Sequence, residues 1–287
     1  RQIIIILFSL GFISITSIKN IYPIFFYYLD LNDTIKDCDL NTYFKNYRMS
    51  KLKNNPTVYL NDFVKHYNEC KFLSIYNSKK AISNINAQNV YIIDGLGGEY
   101  LNLLVNIFQE RYNKRIILAE YRKSILPSIT KTNKNVIESI FSNPTWIKSF
   151  DKDVLHGEYY KNYINLEKAL TEIENIIEKI ENENSEESNF LITSDHGSTA
   201  IHKILITKKK YNYKNSDHEG RCSQFDNSYV PSEDYIKYRN EFNETWLLSL
   251  NNYSLNDSSK YEAHGGATIE EYIVPFIHVT SKQIDNN

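Results

Sequence analysis

Short apolar runs recur along the last two-thirds of the chain and predict the strands of a sheet. They are rich in β-branched and aromatic residues and end at glycine or polar positions, which is typical of buried strands. The clearest runs are residues 89–93, 115–119, 190–193 and 273–279, and weaker ones are 146–150, 203–207 and 246–248.

Helical spacing of apolar residues separates several of these runs. The clearest helix has one apolar stripe and carries Glu and Lys on its other face. The stripe consists of Leu166, Leu170, Ile173, Ile177 and Ile180. A second helix is expected over residues 100–112, and a helical turn over residues 268–272. Strands that alternate with helices predict an α/β fold with a doubly wound, mostly parallel sheet.

Residues 1–85 show no such alternation, and we expect a lead-in segment or the end of a preceding domain there. The apolar stretch Ile3–Ile18 is shorter than the roughly 20 residues that a membrane-spanning helix needs. Its first part, Ile3–Phe8, suits a buried strand, and a membrane or signal segment is the alternative. Because the chain begins at Arg1 and has a single methionine, Met49, we expect it to be a segment of a longer protein.

The charge and the cysteines exclude some classes of protein. The formal net charge is −2, so no overall positive field is present to bind nucleic acid. The basic run Lys208–Lys210 is expected to be a solvated turn. Three cysteines without a Cys-x-x-Cys pair, Cys38, Cys70 and Cys222, argue against a disulfide framework and a thiolate zinc site. They fit a reducing compartment, and we expect the chain to be cytoplasmic.

Carboxylate and imidazole groups follow two of the predicted strands. Asp94-Gly95 comes after the strand 89–93, and Ser194-Asp195-His196-Gly197 comes after the strand 190–193. Because ligands bind beyond the carboxyl ends of parallel strands, these side chains are expected to lie together. Later in the chain, His264-Gly265-Gly266 adds an imidazole where glycines let the backbone pass close to a site. Oxygen and imidazole ligands together suit Zn²⁺, Mn²⁺ or a similar ion.

The order of these three motifs resembles that of the alkaline phosphatase superfamily. Within it, the segments Val90–Gly97, Ile192–Gly197 and Ala263–Pro275 resemble the PglZ domain, and the last is the most specific. PglZ proteins are associated with BREX-type bacteriophage defence. The resemblance implies an alkaline phosphatase-like catalytic domain over residues 86–287. It also implies a metal-dependent phosphoric ester hydrolase, either a phosphodiesterase or a phosphatase.

The resemblance further implies a Ser or Thr nucleophile between the first Asp and the Asp-His pair. Leu126-Pro127-Ser128-Ile129-Thr130 is the matching segment, with Thr130 as the first choice and Ser128 as the second. Without the other motifs, the same segment would be interpreted as a Pro-containing loop with a helix N-cap.

Two divalent ions are the implied cofactors, with zinc the leading candidate and Mn or Mg the alternatives. One ion is expected at Asp94, Thr130, Asp195 and His196. The other is expected at His264, His156 and either Asp151 or Asp153. The choice stays open because the family separates this Asp and His by four residues, and neither carboxylate has that spacing from His156.

The segment Asp217-His218-Glu219-Gly220-Arg221 supplies a substrate-binding candidate. The forked donors of Arg221 would contact a substrate phosphate, and the alternative is a partly buried salt bridge in a polar loop. We expect a phosphate-ester substrate and other defence-system proteins as partners. Nucleic acid stays open as a substrate, and a membrane is not expected.

Three other functions compete with this hypothesis. The first is another enzyme of the superfamily, although the chain has no Cys-x-Pro-x-Arg segment of the kind that formylglycine sulfatases use. The second is a catalytically weak PglZ-fold interaction module in a defence or signalling complex. The third is a membrane-anchored protein.

Overall fold

The computed structural model describes residues 1–156, 162–184, 188–205, 216–225, 233–256 and 262–280. The predicted turn Lys208–Lys210 and residues 206–207 of one predicted strand lie outside this part of the chain. In it, the strands are β1 (Asn89–Ile93), β2 (Arg115–Lys123), β3 (Thr145–Ile147), β4 (Asn189–Thr193), β5 (Ser216–Asp217), β6 (Cys222–Gln224), β7 (Tyr235–Arg239), β8 (Thr245–Ser249) and β9 (Ile273–Thr280).

The helices precede, separate and follow these strands. They are α1 (Gln2–Ser9), α2 (Ile15–Ile21), α3 (Pro23–Leu29), α4 (Cys38–Lys53), α5 (Val58–Lys65), α6 (Glu69–Ser78), α7 (Leu101–Asn106), α8 (Thr130–Ile140), α9 (Asn162–Glu183), α10 (Ile201–Ile204) and α11 (Ile269–Tyr272). Short 3-10 or π-helical turns add Gly98–Tyr100, Ile107–Arg111, Phe150–Leu155 and His218–Gly220.

The main sheet has the strand order β2-β9-β4-β1-β3. The pairs β1–β3 and β1–β4 are parallel, whereas β9 runs antiparallel to both of its neighbours, β2 and β4. The α/β class is therefore confirmed, but the sheet is mixed, with two parallel and two antiparallel pairs. All eight residues of β9 are buried, so its continuous apolar run does not reveal the direction of the strand.

A second, antiparallel sheet with the order β5-β6-β8-β7 lies in the stretch after α10. Its strand β8 confirms the prediction for residues 246–248, while β5, β6 and β7 come from sequence too polar to show a strand pattern. The strand predicted over residues 203–207 is wrong at its start, because Lys203 lies in α10. The strand predicted over 146–150 is shorter than expected, since Phe150 begins a π-helical turn.

The buried strand predicted in the N-terminal apolar stretch is wrong. The stretch forms α1 and α2, with Gly11 at φ +80° in the turn between them and the Ser14 hydroxyl capping α2. Only part of the stretch is buried: Ile5 is fully covered, whereas Ile3 is 72% exposed. None of the described helices has the length and apolar character needed to cross a membrane.

One hydrophobic core joins the N-terminal helices to the main sheet. The apolar stripe of α9 is buried, as its spacing predicts, and packs in the same cluster as Tyr28 of α3 and Phe44 of α4. Helix α4 also runs close to the strand ends of the main sheet, because Tyr47 accepts a hydrogen bond from the Ala200 N–H at 2.8 Å. The helices of residues 1–85 thus reach the loops that follow β4.

Candidate metal centre

Two neighbouring strands bring the first acidic and imidazole groups together. Asp94 directly follows β1, and Asp195-His196 lie just beyond β4, which pairs with β1 in parallel. The Gly95 N–H donates to Asp195 Oδ1 at 3.2 Å, which ties the two strand ends to each other. His196 Nε2 lies 3.5 Å from Asp94 Oδ1 and 3.6 Å from Asp195 Oδ2. All three side chains are buried.

Thr130, the first residue of α8, completes this group. Its Oγ1 lies 3.1 Å from Asp94 Oδ1 and 3.1 Å from His196 Nε2. The N-cap of α8 is Ile129, with no side-chain cap, so Thr130 does not serve as the helix cap. Ser128 is fully buried, and its hydroxyl donates to Gly266 O and accepts from the Gly265 N–H. The geometry therefore separates the two candidate nucleophiles: Thr130 contacts Asp94 and His196, whereas Ser128 contacts the backbone of the His264 loop.

A second group forms around His264. His156 Nε2 lies 3.3 Å from Asp151 Oδ1 and 3.4 Å from His264 Nε2. Asp151 reaches this position because the π-helical turn Phe150–Leu155 begins right after β3. Asp153, on the same turn, is exposed and belongs to neither of the metal-compatible groups formed by the described residues. Of the two alternatives left by the sequence, the structure brings Asp151 next to the histidines.

The donor atoms of the two groups fit a pair of cations. Asp94, Asp151 and His196 form one set, and Asp151, His156 and His264 form the other; within each set, the donor atoms all lie within 4.8 Å of one another. Asp151 belongs to both sets. The buried oxygen Asp195 Oδ2 receives no hydrogen bond from the described residues. An oxygen without a donor, beside several carboxylates and imidazoles, suits Zn²⁺ or a similar ion.

The pKa shifts of these side chains also indicate a place where positive charge is stabilised. Burial and the neighbouring Asp195 carboxylate raise the pKa of Asp94 to about 6. Burial alone would lower the pKa of His196, but the carboxylates of Asp195 and Asp94 outweigh it and raise that pKa. Burial and the nearby His196 hold the pKa of His264 well below its usual range, so its ring is neutral. Neutral imidazole is the form that binds metal, and a cluster of carboxylates is stabilised by positive charge.

A buried ion pair holds the loop that carries His264. The Glu271 carboxylate accepts the Gly266 N–H at 3.0 Å and the Thr268 N–H at 3.0 Å. Arg221 donates to it with Nε and Nη2, both at 2.8 Å. The Glu271 carbonyl also accepts the Gly197 N–H at 2.9 Å, so one residue connects both histidine loops.

The assignment of Arg221 to substrate binding is therefore corrected. Its side chain is fully buried, and its remaining donors go to the carbonyls of Asn251, Ser249 and Tyr253. A guanidinium with its forked face on Glu271 has no free edge for a phosphate. Arg221 instead forms a buried salt bridge with Glu271, as in the alternative interpretation of this segment.

His218 is a site residue that the sequence interpretation missed. Its ring centroid lies 4.6 Å from that of His264, and its Nδ1 lies 3.2 Å from Asp217 Oδ1. Both His218 and Glu219 have positive φ, at 49° and 59°, a backbone conformation that costs free energy outside glycine. The signal for it in the sequence is a histidine between Asp217 and Arg221, close to the other candidate residues in type but without a strand pattern before it.

A cavity of about 340 Å³ opens over the two groups. Its wall combines Thr130 and the second metal-compatible group with polar residues from two later loops. The lining residues are Thr130, Asp151, His156, Asp217, His218, Glu219, Glu262, Ala263 and His264. A small polar cavity with a hydroxyl, carboxylates and imidazoles on its wall has the chemical groups that metal-assisted hydrolysis requires.

No protein-family model matches this chain, and a comparison with curated proteins finds no match either.

Proposed function

We propose that the chain is a metal-dependent phosphoric ester hydrolase, a phosphodiesterase or phosphatase, with Thr130 as its nucleophile. The observation that carries the proposal is the position of the Thr130 hydroxyl. It lies 3.1 Å from a carboxylate oxygen of Asp94 and 3.1 Å from His196 Nε2, at the wall of the cavity. An isolated threonine hydroxyl is a weak nucleophile, and activation needs neighbours of this kind.

Two divalent ions, when bound, would neutralise phosphoryl oxygens and make the Thr130 hydroxyl more acidic. Asp94, Thr130, Asp195 and His196 would hold one of them, and Asp151, His156 and His264 the other. Zinc is the leading candidate because imidazoles contribute to both sets, and magnesium prefers oxygen ligands.

The reaction has two displacements at phosphorus. Thr130 Oγ1 forms a bond to phosphorus, its proton passes toward Asp94 Oδ1, and the bond from phosphorus to the leaving oxygen breaks. Water then displaces Thr130 from the phosphothreonine, which releases the phosphate product and returns the hydroxyl. The hydrogen bond between Thr130 Oγ1 and Asp94 Oδ1, 3.1 Å long, provides the path for the first proton.

Substitution of Thr130 tests the proposal. Thr130→Ala should lower turnover of an aryl phosphodiester and an aryl phosphomonoester by roughly 10³-fold or more, because the attacking oxygen is gone. Thr130→Ser keeps that oxygen and should retain measurable turnover. Metal content should stay near two ions per chain in both variants, measured by elemental analysis. Full activity of Thr130→Ala would exclude the residue as nucleophile.

The wider assignment rests on the same motifs. We place the chain among alkaline phosphatase-like folds and PglZ-type proteins, because the three motifs that resemble them supply Asp94, His196 and His264 to two ligand sets that share Asp151. Other defence-system proteins are the partners this assignment implies. A reducing, cytoplasmic location belongs to the same proposal, because three cysteines without a Cys-x-x-Cys pair fit a reducing compartment. A protein that binds no divalent ion in elemental analysis would instead be the catalytically weak interaction module.

A further inference from the structure

A buried ion cluster lies behind the candidate metal centre. The Lys51 ammonium, from the last turn of α4, lies 2.9 Å from Glu99 Oε1 and 2.6 Å from Glu262 Oε1. The Lys51 side chain is 1% exposed, and the two glutamates are 2% and 4% exposed. Burial alone would lower the pKa of Lys51, but the carboxylates of Glu262 and Glu99 hold it well above its usual range. The lysine is therefore charged inside the core.

Glu262 connects this lysine to both histidine loops. Its other oxygen, Oε2, accepts the Ser198 hydroxyl at 2.6 Å. Ser198 is two residues after His196, and Glu262 is two residues before His264. One residue further along each loop, the backbones of Thr199 and Ala263 exchange hydrogen bonds of 2.7 and 3.0 Å.

The two loops present their rings to each other. The His196 and His264 rings are stacked, with centroids 4.2 Å apart and planes 13° from parallel. A shift of either loop would therefore change the separation of the two ligand sets. Tyr47, one helical turn before Lys51, fixes the same region through the Ala200 N–H.

The charge of Glu262 needs a partner because this carboxylate also lines the cavity. Its two oxygens contact the Lys51 ammonium and the Ser198 hydroxyl. Without the ammonium, a carboxylate at this place would be attracted to the divalent ions. A core that needed only stability would be served as well by apolar side chains of similar volume.

We propose that Lys51 is a positioning residue that, through Glu262 and Ser198, holds the His196 and His264 loops at the separation a two-metal centre requires. Helix α4 is thus part of the machinery, although it contributes no ligand. The inference rests on the proposed function for its catalytic consequence, but its effect on metal affinity can be measured without turnover.

The experiment uses Co²⁺ as the probe of the metal-free full chain. Lys51→Met should weaken Co²⁺ binding, followed by visible absorption, by roughly 10–100-fold, the usual loss when a group that orients metal ligands is removed. The turnover number should fall more than KM rises, since substrate still reaches the cavity. Lys53→Met is the matched control, because Lys53 is an exposed lysine on the same helix turn. It should bind Co²⁺ as the unmodified chain does.

Two further variants locate the effect. Lys51→Met leaves two carboxylates without their cation, and combining it with Glu262→Gln removes the one nearer the ligand sets, which should recover part of the lost affinity. Ser198→Ala deletes one hydroxyl and tests the positioning role even if Lys51→Met does not fold. It should weaken Co²⁺ binding by about tenfold. Circular dichroism confirms that each protein compared is folded.

The outcomes separate this inference from the proposed function. A folded Lys51→Met, or a Ser198→Ala, that binds Co²⁺ and turns over substrate like the Lys53→Met control overturns the positioning role alone. An unmodified chain that binds two Co²⁺ ions but hydrolyses no phosphoric ester overturns the proposed function, and Co²⁺ affinity still tests the positioning role. An unmodified chain that binds no Co²⁺ overturns both.

Discussion

Individual buried charges define the surroundings of the candidate metal centre. Arg221 and Glu271 satisfy each other and the loop around Gly266, whereas Glu270, the residue before Glu271, forms no ion pair with a basic side chain of the described residues. Its Oε1 accepts the Tyr43 hydroxyl at 2.6 Å, and its Oε2 has no hydrogen-bond partner among the described residues. Adjacent glutamates in α11 therefore have different surroundings: Glu271 pairs with Arg221 and accepts backbone N–H groups, and Glu270 is better accommodated as a neutral acid.

Glu270 should make the stability of the protein depend on pH. Burial raises its pKa from 4.5 to about 7. The folded state therefore holds the proton more tightly, so the contribution to stability is full below about pH 4.5 and is lost as the pH rises through about 7. The change amounts to about 3 kcal/mol.

Glu270→Gln should remove this dependence, because the amide stays neutral. Urea unfolding at about pH 5 and about pH 8 measures the difference in free energy between variant and unmodified chain. That difference should move in favour of the variant at the higher pH. Glu138→Gln, at an exposed position of α8, should show no such movement. Equal pH dependence in the Glu270→Gln and unmodified proteins would contradict a raised pKa.

At the scale of elements, the site depends on how closely the segments after β1 and β4 approach each other. Gly197, beyond β4, lies against Gly97, beyond β1, and both lie beneath the Glu270 carbonyl. A Cβ added at Gly197 would lie 2.2 Å from that carbonyl oxygen and 2.7 Å from the Gly97 Cα. Both contacts are too short, and both are with backbone atoms, which no change of side-chain rotamer can move. The two loops would therefore have to separate.

Alanine at these two glycines should have unequal effects. Gly197→Ala should destabilise the fold by roughly 1–3 kcal/mol and reduce metal binding, since it displaces the residue next to His196. Gly97→Ala is the matched control: its Cβ would be 3.4 Å from the same oxygen, and φ is −72°. It should cost well under half as much in urea unfolding. If both variants lost the same free energy of unfolding, the close approach of the two loops would not explain why a side chain is unfavourable at Gly197.

The sequence specified some elements well and others poorly. Buried strands such as β1 and β4 have continuous apolar runs, and α9 has its stripe, so their positions followed from local pattern. The direction of β9 did not, because a strand buried on both faces reads the same in either direction. The strand predicted over Ile3–Phe8 is helix α1, because a short apolar run does not distinguish a strand from a helix.

The candidate site shows the same limit. Asp94, Asp195 and His196 were predictable because they lie at the ends of recognisable strands. The choice of Asp151 over Asp153 depends on a π-helical turn, and the burial of Arg221 depends on Glu271, which is 50 residues away. Neither follows from spacing alone. The role of Lys51 could not be predicted from the sequence, because only the packing of α4 against the sheet brings its partners to it.

At the scale of the whole molecule, the proposed ligands come from segments distributed over most of the described chain. Thr130 begins α8, Asp151 follows β3, and His264 precedes α11. One hydrophobic core includes a residue beside or within each of these elements, namely Ile129, Ile147 and Ile269. Binding of ions would therefore stabilise the entire core and not a single loop.

Metal removal should lower the melting temperature of one cooperative transition. At a free Zn²⁺ concentration about 100 times the dissociation constant, binding to the folded state adds about 2.7 kcal/mol per site. Calorimetry of the chelated and reloaded protein should show this as an upward shift of a single peak. His264→Asn lacks one ligand and should show a smaller shift. A metal-independent melting temperature would contradict a two-ion centre.

The placement of β9 has a consequence for how the protein is made. This strand lies between β2 and β4, yet it is the last described strand in chain order, so β2 joins the sheet only after residues 273–280 exist. During synthesis, β1, β3 and β4 can pair early, but β2 must wait with an open edge until ribosomes have translated almost every element described. Nascent chains interrupted before that point would hold Thr130 and the proposed ligands without a complete main sheet to align them, so the proposed hydrolytic activity would arise only after residues 273–280 have been made.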